Sequence, residues 1–232
     1  MPERSLGLAW VETLPPPQGN QFIFIRHGES EYTGMGLDLT GGGINQAHDT
    51  AREMKQYLGH FDRVKVITSP AARAHSTALF FVQHAGIVPD EFIKERLLRH
   101  VDIKDLKGFV DYQQAHSTDR YGELWLTDKF LARDNNLAES RVSVENRARD
   151  FLFKYSKAVE NYSKENGKTG ILVFTHFEII MYYLKSTYPN RDFPIRSRDG
   201  VQNAEPVIVQ IDDTNRKLYT VVSRGVSSPA KV

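Results

Sequence analysis

Short runs of apolar residues, bounded by polar and turn-forming positions, predict five β-strands in this chain. The first run, Phe22 to Ile25, is entirely apolar and rich in aromatic and β-branched residues. Such a run is typical of a strand that is buried on both faces of a parallel sheet. Two more runs of this kind and a closing pair follow, at Val64–Thr68, Ile171–Thr175, Pro206–Ile211 and Leu218–Val222.

Between these runs, apolar residues recur at helical spacing and predict four helices. They lie at about residues 44–58, 70–83, 144–166 and 178–186. Ser69 is the expected N-cap of the second helix, with Pro70 in its first turn. The glycine-rich segment 31–43 has no apolar period and is predicted to be a loop. Strands that alternate with helices predict an α/β fold, a three-layer α/β/α sandwich with a mostly parallel central sheet.

The order of these segments indicates a single domain. Residues 1–20 are polar and carry three consecutive prolines, so we expect an extended lead-in. One domain is expected over residues 21–222. It includes an insertion at about residues 87–137, where the pattern is least regular and no linker-like segment flanks it. Residues 223–232 are expected to be a disordered tail.

Composition and charge narrow the classes of function. Hydrophobic residues make up 40% and charged residues 25% of the 232 residues, as in ordinary globular proteins. The formal charge of +1 provides no overall basic field for nucleic acid or a membrane surface, so any anion site must be local. Cysteine is absent, which excludes disulfides, thiolate catalysis and cysteine metal ligands. No stretch reads as a signal peptide or a membrane span, so we expect a cytoplasmic protein.

Arginine and histidine residues follow three of the predicted strands. Arg26 and His27 come directly after the first strand, Arg73 lies in the first turn after the second, and His176 follows the third. Open α/β sheets bind ligands at the carboxyl ends of their strands. Two guanidinium groups can hold a phosphate in bidentate fashion, and a neutral imidazole facing the phosphorus is a competent nucleophile. These residues therefore predict a phosphate site, in which Gly28 would let the backbone approach the ligand.

Motifs around these positions resemble those of the histidine phosphatase superfamily, branch 1, which includes the cofactor-dependent phosphoglycerate mutases. They are Arg26-His27-Gly28-Glu29-Ser30; Leu39-Thr40 with Gly43 and Gln46-Ala47; Ser69-Pro70 with Arg73-Ala74 and Thr77-Ala78; and, more weakly, Glu139-Ser140 with Arg147 and Asn203-Ala204. The resemblance implies a phosphoglycerate mutase-like fold, with His27 as the phosphorylated nucleophile and no metal or other cofactor. It also implies that the substrate phosphate is bound by Arg26, Arg73 and His176.

The segment expected to supply the proton donor departs from the family pattern. Leu98 to Gly108 resembles the family's L-R-E-x-x-x-G-x-x-E-G, but His100 stands in place of the glutamate. A histidine could donate the proton, because this residue type titrates near neutrality. Asp102 is the alternative donor, and a third alternative is that the leaving group departs unassisted. His176 is followed by Phe177, where the family usually has glycine, and this ring is expected to narrow the pocket.

The leading hypothesis is a metal-independent phosphomonoester hydrolase that forms a phosphohistidine intermediate at His27. One alternative is a catalytically weakened phosphate-binding or scaffold module, which the changes at His100 and Phe177 would fit. Another is a phosphoglycerate-type mutase, although the further mutase motifs E-R-H-Y-G and G-L-N-K are not found. Zinc catalysis through three histidines is disfavoured by the arginines beside them. The expected substrate is a small-molecule phosphomonoester or a phosphoprotein, with no nucleic acid or membrane partner, and the oligomeric state is left open.

Overall fold

Six strands of the chain pair into one sheet. The structure is a computed structural model that describes residues 14, 16–31, 38–116, 129–187, 201–211 and 218–222. The strands are β1 (Gln21–Arg26), β2 (Arg63–Thr68), β3 (Glu91–Lys94), β4 (Thr169–Thr175), β5 (Pro206–Ile211) and β6 (Leu218–Val222), in the spatial order β3-β2-β4-β1-β5-β6. β3, β2, β4 and β1 pair in parallel, whereas β5 is antiparallel to both of its neighbours.

Helices cover both faces of this sheet. They are α1 (Gly41–Leu58), α2 (Ala72–Ala85), α3 (Leu106–Ala115), α4 (Arg141–Asn166) and α5 (Phe177–Thr187), with a 3₁₀ turn at Arg96–Leu98. Along β1, Phe22 and Phe24 pack against residues of α4 and α5, whereas Ile23 and Ile25 pack against α1 and α2. All four side chains are fully buried. This alternation confirms the predicted three-layer α/β fold with a mostly parallel sheet.

The glycine triplet 41–43 forms the first turn of α1, so the predicted loop ends too late. The Oγ1 of Thr40 caps the helix by accepting a hydrogen bond from the Gly43 N–H at 3.0 Å. Gly43 is buried, and a Cβ at this position would overlap the carbonyl oxygen of Glu29. A Cβ on Gly28 would in turn lie 3.0 Å from the Gly43 Cα. The glycines at positions 28 and 43 therefore allow α1 to approach the end of β1, which is a different reason from the predicted approach to a ligand.

The prediction that Ser69 caps α2 is wrong. The helix begins at Ala72, and its N-cap residue Ala71 makes no side-chain hydrogen bond. Ser69 Oγ accepts from the Ala71 N–H at 3.2 Å and lies 2.9 Å from Nε2 of His176. The serine therefore belongs to the side-chain cluster at the strand ends.

The predicted insertion contributes to the sheet. Glu91–Lys94 form the edge strand β3, and the backbone of residues 103–105 contacts residues 137 and 138 through a bridge and two hydrogen bonds. The predicted domain boundaries stay predictions, because most of the lead-in and the whole of the predicted tail lie outside the described residues. In the part of the chain that the structure describes, no helix is long and apolar enough to cross a bilayer.

Candidate active site

Three strand ends meet at one edge of the sheet. Arg26 at the end of β1 is paired with Thr175 at the end of β4, and the His27 N–H donates to the Thr175 carbonyl at 3.0 Å. On the other side of β4, the Ser69 N–H donates to the Phe174 carbonyl at 2.8 Å. The strand order β2-β4-β1 thus places the residues that follow these strands side by side, as the carboxyl ends of parallel strands must be.

His27 is held as a neutral imidazole whose lone pair lies on one defined nitrogen. Its Nδ1 lies 2.8 Å from the Gly28 carbonyl oxygen, which can only accept, so Nδ1 carries the proton. Arg73 Nε donates to His27 Nε2 at 3.1 Å, so Nε2 carries none. Burial, together with the charges of Arg73 and Arg26, lowers the pKa of His27 to about 3, although the bond to Gly28 opposes this. The Nε2 atom therefore carries no proton over the whole neutral range.

His176 is fully buried and also neutral. Its Nδ1 lies 3.3 Å from Nη2 of Arg73, and because a guanidinium only donates, Nδ1 must accept. The ring proton then lies on Nε2 and points to Ser69 Oγ. Burial, followed by the neighbouring His27, His100 and arginine charges, holds the pKa of His176 well below its usual value. Arg73, itself only 3% exposed, thus links the two imidazoles with a fixed positive charge.

Contacts with Val201 and Phe177 help to position the guanidinium group of Arg26. Nη1 donates to the Val201 carbonyl at 2.9 Å, and Cζ lies 5.4 Å from the centre of the Phe177 ring. Phe177 is buried, and its ring packs against this arginine. That the ring narrows the pocket stays a prediction.

Of the two candidate proton donors, the structure brings His100 to the cluster. Its ring centre lies 5.2 Å from that of His176, and His27 is also 5.2 Å from His176. Asp102 is exposed, and its backbone forms hydrogen bonds with Glu139. The roles predicted for these residues stay predictions, but their placement favours His100.

Sequence reasoning missed Glu178 as a site residue. Glu178 is a buried residue in the first turn of α5, with Oε1 3.5 Å from Nε2 of His100. The available signal was an acidic residue that comes two positions after His176 and opens a mostly apolar helix. Acidic residues are common in the first turn of a helix, so the sequence gave no reason to place Glu178 in the side-chain cluster at the strand ends.

A buried ion pair supports the segment that carries His100. Arg147 contacts Glu139 with two nitrogens, at 2.9 and 2.8 Å, and also donates to the His100 carbonyl at 3.3 Å. These residues appeared in the sequence only as weak motif matches. Across the described residues, no group of three or more histidine, aspartate or glutamate side chains has the geometry to hold a metal ion.

Comparisons with known proteins show the family and the fold of the chain. The family model of the histidine phosphatase superfamily (branch 1) matches residues 22–223. Among solved structures, a mycobacterial hydrolase 1 is similar with a TM-score of 0.66 and 18% identity, covering 89% of this chain and 98% of that one. A mycobacterial glucosyl-3-phosphoglycerate phosphatase has a TM-score of 0.64 and 19% identity, covering 88% and 98%.

A phosphoglycerate mutase from Bacillus anthracis is similar with a TM-score of 0.62 and 18% identity, covering 89% of this chain and 94% of that one. At such identities the likeness shows the fold, and it confirms the phosphoglycerate mutase-like architecture predicted from the motifs. Among curated proteins, none matches the chain.

Proposed function

The chain belongs to branch 1 of the histidine phosphatase superfamily, and from that membership we propose that it is a metal-independent phosphomonoester hydrolase acting through a phosphohistidine at His27. The observation that carries the proposal is the state of the His27 ring. Its Nδ1–H is fixed on the Gly28 carbonyl, while the Nε2 lone pair is held 3.1 Å from Arg73 Nε. A hydrolase of this kind needs a neutral, oriented imidazole beside a fixed cation.

In the proposed first step, the substrate phosphate takes the place of the His27 ring as the partner of Arg73. Nε2 then attacks the phosphorus in line, and the bond to the leaving oxygen breaks as the new N–P bond forms. The Gly28 carbonyl stabilises the positive charge that develops on the imidazole. The charges of Arg26 and Arg73 stabilise the negative charge on the equatorial oxygens, and the Nε2–H of His176 is the proposed third donor to them.

His100 is the proposed donor of the proton that the leaving oxygen takes. Its ring lies beside His176, whereas Asp102 is exposed. In the second step, water attacks the phosphohistidine and gives a proton back to His100, which releases inorganic phosphate and restores the resting state. Each proton and electron pair is thus returned within one turnover.

The test is phosphate release from a panel of aryl and alkyl monoesters by wild type, His27→Ala and His60→Ala. His60 is an exposed histidine that follows the C-cap residue of α1, and it serves as the matched control. We expect His27→Ala to lose roughly 10³-fold or more of the turnover, because the nucleophile is gone. His60→Ala and the addition of a chelator should leave it unchanged.

Loss of turnover in the chelator would overturn metal independence, and equal activity in His27→Ala would overturn the phosphohistidine. A folded wild type that releases no phosphate from any ester would favour a phosphate-binding module. The proposed substrate is a small phosphomonoester or a phosphoprotein. A cytoplasmic location is part of the proposal, and a chain without cysteine fits a reducing compartment.

A further inference from the structure

A buried carboxylate faces the outer nitrogen of His100. Oε1 of Glu178 lies 3.5 Å from His100 Nε2, and the Glu178 and His100 side chains are 5% and 27% exposed. The second oxygen, Oε2, is buried and has no hydrogen-bond partner among the described residues. A buried carboxylate without a full set of hydrogen-bond donors lowers stability, so the presence of Glu178 at this position needs an explanation.

The hydrogen bonds of the His100 ring determine where a proton must lie. Nδ1 is 2.7 Å from the Val101 carbonyl oxygen, which has no proton to give, so Nδ1 carries one. If Nε2 were bare, its lone pair would point at the oxygen of a carboxylate. Two acceptors facing each other repel, and a proton on Nε2 of His100 would turn this 3.5 Å contact with Oε1 of Glu178 into an attractive one.

The charges near His100 indicate why a carboxylate beside this ring matters. Arg147, which donates to the His100 carbonyl, is a cation, whereas His27 and His176 are neutral. Arg147 is already paired with Glu139. A protonated imidazole near a cation is unfavourable unless an anion is adjacent, and Glu178 is a carboxylate that faces it.

We propose that Glu178 is a positioning residue that keeps a proton on Nε2 of His100, so that the pair serves as the proton donor for the leaving group. This inference rests on the proposed phosphatase function. When the P–O bond breaks, its electron pair goes to the leaving oxygen, which takes the proton from Nε2. Glu178 stays ionised, and the neutral His100 then accepts a proton from the attacking water, which restores the pair.

The experiment is Glu178→Gln, assayed on an alkyl phosphate and on p-nitrophenyl phosphate. A glutamine amide can donate to Nε2, so His100 becomes neutral and has no proton to give. We expect kcat on the alkyl phosphate to fall about 10²-fold or more, whereas the aryl ester, whose leaving group needs no proton, changes less than about fivefold. His100→Ala should lower the same ratio, and the double variant should be no worse than His100→Ala alone.

Glu95→Gln is the matched control, because Glu95 is also a buried glutamate but bonds to Lys154 and Tyr155. It should leave the alkyl-to-aryl ratio unchanged. An equal loss on both esters in Glu178→Gln would show a merely structural role and overturn the proposal.

A second readout does not depend on turnover. The ¹⁵N shifts of the His100 ring should show a protonated Nε2 in the wild type at pH 7 and a bare Nε2 in Glu178→Gln. A bare Nε2 in the wild type would overturn the inference even if His27→Ala confirmed the phosphatase. If Nε2 of His100 is protonated but the wild type releases no phosphate, the pairing of His100 with Glu178 is supported and the proposed phosphatase function is overturned.

Discussion

Replacing Arg147 by methionine should be among the most destabilising single changes in this protein. The guanidinium is 6% exposed and makes a two-nitrogen contact with Glu139, at 2.9 and 2.8 Å. It also donates to the carbonyls of Leu97, Arg99 and His100, at 2.8, 2.9 and 3.3 Å. Methionine keeps the apolar stem and removes all of these donors.

The expected loss is about 3–5 kcal/mol in the free energy of unfolding, because one partner of a buried ion pair is left without its counter-charge. Ser143 Oγ and Arg99 Nη2, at 2.8 and 3.2 Å, still donate to Glu139. Arg99 is 45% exposed, so its contribution is screened by solvent. The orphaned carbonyls add to the loss, which makes 3 kcal/mol the lower end of the expectation.

The pH dependence of this loss has a definite sign. Burial opposes ionisation of Glu139, but hydrogen bonds and charge from Arg147, with Ser143 and Arg99, outweigh it and hold the pKa below its usual value. A lowered folded-state pKa contributes stability above the unfolded value, about 4.3, and this stability is lost as the pH falls. Without Arg147 that contribution disappears, so wild type and variant should differ most at pH 7 and less near pH 4.

The assay is urea unfolding at pH 7 and pH 4, with an unchanged m-value as the check on two-state behaviour. Arg52→Met is the matched control: its ion pair with Asp49 is 2.6 Å long, but Arg52 is 63% exposed, so the loss should stay below about 1 kcal/mol. The double variant Glu139→Gln/Arg147→Met should recover part of the stability, since no charge is left unpaired. A loss below about 1 kcal/mol for Arg147→Met at pH 7, or a double variant that is no better, would refute this reasoning.

Two further outcomes follow from the fold and the site. Gly43→Ala should clearly lower the thermal unfolding midpoint, because the new Cβ would overlap the Glu29 carbonyl oxygen. Gly41→Ala, whose Cβ would have no atom within 4 Å, should be neutral or stabilising by about 0.5–1 kcal/mol. Similar midpoints for the two variants would contradict the packing argument. Burial keeps the pKa of His27 and of His176 low in the folded protein, whereas both side chains take up a proton in the unfolded chain below about pH 6.5. The free energy of unfolding should therefore fall below that pH, by up to about 1.4 kcal/mol per pH unit for each of these two histidines. Urea midpoints at pH 7, 6 and 5 measure this slope, which should be about halved in His27→Ala. A slope in this variant equal to that of the wild type would count against a low pKa of His27 in the folded protein.

The local pattern was sufficient for the layers and for much of the site. An all-apolar β1 can only be covered on both faces, and Phe24 and Ile25 do pack against opposite layers. Residues that directly follow parallel strands must share one edge of the sheet, so Arg26, His27 and His176 could be placed together from their positions alone. These are consequences of backbone geometry and chain connectivity, which the order of residues specifies.

Contacts between distant segments could not be deduced in this way. Ser69 reads as a helix cap, yet its hydroxyl lies against His176, 107 positions later. Gly43 reads as a loop residue, yet it is buried against the backbone of Glu29. The pairing of Glu178 with His100 depends on how α5 packs beside the segment that Arg147 holds. Which buried charge faces which ring is set by packing across the layers, and only the folded chain brings those atoms within reach of one another.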